Sequence, residues 1–134
     1  MPAPKHAWTS VSHREEKPWG EAVKWHAAGH FDCKVITIRS GHRTSLKYHR
    51  TKDEVFYVMS GKILVRFGIS KTLQNSEKYP WQERVLGTGE VFNVQSECPY
   101  RITALEESVL IEMGDRCIDN PIRLEDDYGR VNER

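Results

Sequence analysis

Residues 41–61 read GHRTSLKYHRTKDEVFYVMSG, and this stretch decides how the chain is folded. Ser45, Lys47 and His49 alternate with Leu46 and Tyr48, the period of a strand with one polar face. A polar segment, Arg50 to Asp53, follows, and Glu54 opens an almost wholly apolar run, Val55 to Met59. We read two antiparallel strands and their turn, an arrangement that sets Lys47, His49 and Glu54 side by side on one face. Imidazole and carboxylate together suggest a metal site. A lysine among them argues against one, because an ammonium has no lone pair to give.

Outward from this stretch the same signals continue. Short β-branched and aromatic runs predict strands at about Ala22–Trp25, Phe31–Ile38, Thr44–His49, Glu54–Met59, Ile63–Phe67, Glu83–Leu86, Glu90–Val94, Tyr100–Thr103 and Val109–Met113. Polar or glycine turns separate them, as at Ser60-Gly61-Lys62 and Gly87-Thr88-Gly89. No segment sustains a helical period. Many short strands at close spacing predict an all-β sandwich or barrel. The runs CKVITI and EVFYVM are apolar on both strand faces, so both faces must be covered. One fills the interior, and the other calls for terminal segments or a second subunit, so we expect a homodimer.

Composition narrows the function. The 134 residues suffice for one domain with a single core. Twenty Lys and Arg against nineteen Asp and Glu, interspersed, make neither nucleic acid nor an anionic membrane an expected partner. No apolar run is long enough to span a bilayer, and MPAPKHAWTS lacks the core of a signal peptide. Cys33, Cys98 and Cys117 are widely spaced and odd in number, which fits free thiols in a reducing compartment and a cytoplasmic location.

Three readings of Lys47 stand side by side. It pairs with Glu54 and closes a site that once held metal. It serves as a binding or catalytic cation for a phosphate, a carboxylate or a developing enolate oxygen. Or burial depresses its pKa and makes it a base or a carbonyl nucleophile.

The stretch Gly41, Lys47-Tyr48-His49, Glu54, Gly61 resembles the first motif of the cupin superfamily. The second cupin motif is eroded, with Gly89, Gln95, Glu97, Tyr100 and Ala104 at its places. Within cupins the chain is similar to the C-terminal domain of type II mannose-6-phosphate isomerases. Three segments carry the likeness: KPWG (Lys17–Gly20), RTSLKYH (Arg43–His49), and the ending with Ile122, Arg123, Asp126 or Asp127, Tyr128, Gly129 and Arg130. No guanylyltransferase domain is present, so that companion activity is not expected.

The resemblance implies a small double-stranded β-helix, the cupin barrel or jelly-roll. It implies one domain over 1–134, with an N-terminal arm at 1–16, an inserted loop at 69–82 and a C-terminal tail at 116–134. The family's metal ligands, Gln, His, Glu and His, fall on Lys47, His49, Glu54 and Tyr100. Only His49 and Glu54 survive, so a divalent metal (Zn, Mn, Fe or Ni) is expected to be absent or weakly held. The implied activity is an aldose–ketose interconversion of a small sugar phosphate or carbonyl sugar, by proton transfer between adjacent carbons. Lys47, Glu54, Arg43 and Tyr100 are the candidate catalytic residues, and Arg43, Arg123 and Lys47 the candidate substrate-binding ones. Plainer roles also exist: a solvated strand end for Arg43 and a tail ion pair for Arg123. Two alternatives use the same pocket. One is a non-catalytic cupin that binds a sugar or nucleotide-sugar; the other is a metal-free epimerase or dehydratase. Trp81 is expected to anchor the 69–82 loop, and Cys98 has no activating neighbour to make it a nucleophile.

Overall fold

The computed structural model describes residues 2–26, 29–116 and 119–130, so Cys117 lies outside the described residues. Two antiparallel sheets are built from β1 (His13–Lys17), β2 (Gly20–His26), β3 (Phe31–Ile38), β4 (Leu46–Tyr48), β5 (Glu54–Ser60), β6 (Lys62–Phe67), β7 (Gln82–Gly87), β8 (Val91–Val94), β9 (Tyr100–Ala104), β10 (Ser108–Asp115) and β11 (Ile122–Glu125). The first sheet runs β1-β2-β3-β10-β5-β8 and the second β11-β4-β9-β6-β7, and among the described residues no hydrogen-bonded ladder closes one onto the other. Among the described residues no helix is long and apolar enough to cross a membrane.

Strand alternation builds the core. Ile36 and Ile38 of β3, Phe56 and Val58 of β5, and Leu110 of β10 face inward from the first sheet. Ile63 and Val65 of β6 and Tyr100, Ile102 and Ala104 of β9 meet them from the second. The rings of Phe56, Phe92 and Tyr100 pack with centroids 5.6–6.1 Å apart, within the range where aromatic pairs attract beyond their buried area. Gly61 makes the turn between β5 and β6 at φ +93°, and a Cβ there would lie 2.3 Å from Ser108 Oγ. Only glycine fits that corner.

The expected hairpin between residues 44–49 and 54–59 does not form. β4 belongs to the second sheet and β5 to the first, and Arg50–Asp53 carries the chain across between them. Both edges of β5 are already taken, by β10 and by β8. The hydrogen-bonding groups of β4 are met instead by β9 and β11.

Strands also form near both ends of the chain. Residues 13–16 of the N-terminal arm, with Lys17, form β1 against β2. Charge pairs hold that strand where an apolar pattern was absent: Glu15 bonds Lys17 and Lys24, and Arg14 bonds Glu21. The tail supplies β11, which adds to the edge of β4. The segment 69–82 connects β6 to β7 as a series of turns. Its Trp81 is stacked under the Arg66 guanidinium at 4.5 Å, which anchors the loop.

On the outer face of the first sheet, Val23, Val35, Ile111, Tyr57 and Val91 stand in register across β2, β3, β10, β5 and β8. Tyr57 and Val91 of this apolar row are exposed, as are Met59 and Met113 nearby.

Candidate active site

Charged side chains interrupt the inward-facing rows at one end of the core, and there a cavity of about 130 Å³ opens between the sheets. Glu54 is its centre. The first residue of β5 points inward by the same parity as Phe56 and Val58, and its side chain is only 2% exposed. Its Oε1 accepts a hydrogen bond from the Tyr100 hydroxyl at 2.7 Å and lies 3.2 Å from His49 Nε2. Its Oε2 faces the Lys52 ammonium at 3.6 Å.

Lys47 enters from the opposite sheet. In register it stands between Arg123 of β11 and Tyr100 of β9, so these three side chains form one row across the second sheet. Its Nζ is 5.9 Å from the centroid of the Tyr100 ring. Glu112 of β10 and Lys34 of β3 complete the cavity from the first sheet, paired at 3.6 Å.

The electrostatics follow from burial in low-dielectric surroundings. Burial alone would raise the pKa of Glu54. The His49 hydrogen bond and the charges of His49, Lys47 and Lys52 outweigh it and bring the carboxyl down to about 2. Tyr100 is pushed well above the usual phenol range, by burial first and then by Glu54 and Glu112. It remains a hydrogen-bond donor at neutral pH. Lys47 is pushed down, because burial outweighs the attraction of Glu54 and Glu112.

Of the residues singled out in the sequence, Lys47, His49, Glu54, Tyr100 and Arg123 line this cavity. Arg43 does not. Its guanidinium is clamped on Asp127, Nε to Oδ2 at 2.7 Å and Nη2 to Oδ1 at 2.8 Å, on the outside of the second sheet. Arg101, buried beside it, reaches Glu125 and Asp127, each at 3.4 Å. These ion pairs hold the tail against β4 and β9. Asp126 then accepts the Tyr128 and Arg130 amides and the Arg130 guanidinium, which turns Arg130 to the cavity. The tail motif thus builds one wall of the site.

Sequence reasoning passed over Lys34, Lys52 and Glu112. For two of them a signal existed: Lys34 shares the parity of Ile36 and Ile38, and Glu112 that of Leu110. A charge in the inward row of an apolar strand marks a lined cavity. Lys52 sits in a polar crossover that reads as solvent-exposed, so nothing marked it.

The family model for the mannose-6-phosphate isomerase C-terminal domain matches residues 5–81, more than half of the chain. The chain belongs to this family. No curated protein matches it in sequence. Among solved structures, the capsular polysaccharide assembling protein CapF from Staphylococcus aureus superposes with a TM-score of 0.72 at 19% identity. That match covers 89% of this chain and 33% of CapF. KdgF from Halomonas sp. matches with a TM-score of 0.63 at 18% identity, over 85% of this chain and 89% of its own. Oxalate decarboxylase from Bacillus subtilis, described with Mn(II) centres, matches at 0.71 and 19% identity, over 92% of this chain and 35% of its own. These neighbours are cupins, and at such identities the likeness shows the cupin fold alone. The chain spans about a third of CapF and of oxalate decarboxylase.

Cupin relatives raise the question of a metal, and the donor set here does not fit one. A stable divalent site takes three or four protein donors. His49 and Glu54 supply two. Tyr100 holds its proton against Glu54, and the Lys47 ammonium has no lone pair to give. The second oxygen of Glu54 already faces the positive charge of Lys52.

Proposed function

We propose that this cupin acts on a small sugar phosphate or carbonyl sugar by proton transfer between adjacent carbons, as a mannose-6-phosphate isomerase-like enzyme that does not depend on a divalent metal. The observation that carries the reading is the charge of the cavity. Lys17 and Arg130 are matched by Glu15 and Asp126 outside it. Lys34, Lys47 and Lys52 then outnumber the two carboxylates that line it, Glu54 and Glu112. Such a surplus suits an oxyanion-bearing ligand.

Lys47 is the proton-transfer group in this scheme. Burial pushes its pKa down, so the ammonium gives up its proton more readily than that of an exposed lysine. The amine so formed takes the proton from C2 of the open-chain aldose and returns it to C1, while the hydroxyl proton at O2 passes to O1. Arg123, beside it in the row, stabilises the enediolate oxygen on which charge develops. Glu54 is a poor base, with its carboxyl down at about 2. Its role is to fix Tyr100 and His49 against the cavity. Arg43 acts at a distance, by holding the strand that carries Arg123.

The test is proton NMR of mannose 6-phosphate in D₂O with the enzyme and a chelator. Loss of the C1 or C2 proton signal to deuterium, with fructose 6-phosphate appearing, is the expected result. Absence of exchange under these conditions, with or without added Zn²⁺, Mn²⁺, Fe²⁺ or Ni²⁺, would sink the isomerase reading. Exchange that needs one of those metals would sink the metal-independent form of it.

A second reading, a non-catalytic cupin that binds a sugar or nucleotide-sugar, is favoured by one observation. Beyond the inner cavity lies an outer recess of about 310 Å³, lined in part by Lys24 and Trp25, with room for a further group. Binding of a nucleotide-sugar without exchange would support it.

The apolar row Val23–Val35–Ile111–Tyr57–Val91 supports a homodimer in which a second copy covers the first sheet. Sedimentation equilibrium of the wild type and of Tyr57→Lys tests this: dimer for the first and monomer for the second. A monomeric wild type at micromolar concentration refutes it. The free thiols of Cys33 and Cys98 fit a cytoplasmic setting.

A further inference from the structure

The inner cavity and the outer recess share Lys34, His49 and Lys52, so two ammonium groups stand where one opens into the other. A lysine in a polar crossover ordinarily extends into water. Lys52 instead folds inward until its side chain is 8% exposed, and the chain makes room for it at Gly114. A Cβ on Gly114 would lie 2.8 Å from Lys52 Cε and 2.7 Å from the Asp53 carbonyl oxygen. Burying a lysine costs free energy unless its charge is met. Glu54 meets it only at 3.6 Å, and Glu112 meets Lys34 at the same distance. Neither separation is a hydrogen bond. Both carboxylates balance charge without engaging the N–H groups, whose strongest partners are charged oxygens. The recess also holds Asp32 and Asp119, and Asp32 lies 3.7 Å from Arg116.

We propose that Lys34 and Lys52 form an oxyanion subsite at this junction, which grips the phosphate or carboxylate of a sugar ligand while its carbonyl end faces Lys47. The inference rests on the anionic-sugar reading above and adds to it where the charged group sits and which residues hold it. With the anion at the mouth, the sugar carbons enter the inner cavity, where Lys47 and Arg123 line the wall and Lys24 and Trp25 do not.

The test is calorimetric titration with inorganic phosphate, mannose 6-phosphate, glucuronate and mannose. Lys52→Met keeps the aliphatic stem over Gly114 and removes the charge; Lys34→Met does the same on β3. The charged sugars should bind the wild type at least tenfold more tightly than mannose. Preference for mannose 6-phosphate or for glucuronate tells phosphate from carboxylate. Each variant should lose about tenfold or more of that affinity with mannose binding unchanged, while Lys62→Met, on the exposed face of β6, loses none. Equal affinity for mannose and the charged sugars, no binding of any charged probe at millimolar concentration, or undiminished charged-sugar binding by both variants overturns the proposal. Should Lys52→Met not fold, Lys34→Met alone decides it, since its partly exposed side chain leaves the core intact. The binding measurement does not require turnover. Charged-sugar binding without proton exchange would therefore remove the isomerase reading and leave the subsite standing.

Discussion

Glu54→Gln keeps the shape at the centre of the cavity and removes its charge. The amide oxygen still accepts the Tyr100 hydroxyl, so the change isolates electrostatics from packing. In the wild type the carboxyl falls from 4.5 to about 2, through the His49 hydrogen bond and the charges of His49, Lys47 and Lys52, against burial. At about 1.4 kcal/mol per pH unit this corresponds to about 3 kcal/mol of stability at pH 7. The same order is expected for breaking a buried ion pair and leaving its cations uncompensated. The sign is that of a depressed acid. Its stabilisation is fully present above the unfolded-state pKa and is lost as pH falls through the folded value, so roughly 1.5 kcal/mol should survive at pH 3. Urea denaturation of both proteins at the two pH values measures this. We expect a deficit of about 3 kcal/mol at pH 7, with the melting temperature down on the order of 10 °C, and about half that deficit at pH 3. A deficit under about 1 kcal/mol at pH 7, or one unchanged at pH 3, would refute the account of Glu54 as the shared counter-ion.

Gly114→Ala forces a methyl group against Lys52 and the Asp53 carbonyl, and should cost about 1–3 kcal/mol in urea denaturation. Lys47→Gln should reduce exchange at C1 or C2 by about 100-fold or more in the NMR assay. In the wild type the exchange rate should rise with pH and level off below the ordinary lysine range, because the neutral amine is the active form and burial lowers its pKa. Arg43→Ala should change stability by less than about 1 kcal/mol, as its pair with Asp127 is partly exposed, yet weaken sugar-phosphate binding by freeing β11. Asp127 is held below the usual carboxylate range by its Arg43 hydrogen bond. The clamp is therefore complete above about pH 4 and released in acid, which the chemical shifts of residues 122–130 would follow between pH 7 and pH 3.

The strands flanking the site were legible because their chemistry is local: β-branched runs, glycine corners, a two-residue period. Phe31–Ile38 is found as read. β1 was not legible, because HREEK gains its order from charges on β2, a partner that no local window contains. The pairing of β4 was misjudged for the same reason. Proximity along the chain favours a hairpin, but β5 has its edges filled by β8 and β10, which arrive much later. The site shows the same division. Lys47, His49, Glu54 and Tyr100 were found from the motif and meet in space even though the strand pairing that was to unite them does not exist. Arg43 was misplaced because nothing near it in sequence reveals Asp127, 84 residues on. Lys52 escaped because its burial depends on Gly114, 62 positions away, having no side chain.

The crossover from β4 to β5 makes the pocket a seam. Lys47 and Arg123 belong to one sheet, Glu54, Lys34 and Glu112 to the other, and Lys52 to the segment between. A ligand touching both walls acts as a cross-tie, and its affinity then includes the work of drawing two separately stitched layers to a fixed gap. Wedging the layers apart anywhere along the seam, even by a methyl group remote from any charge, should register as weaker binding. The stiffness of the whole sandwich is by this construction one of the parameters of recognition.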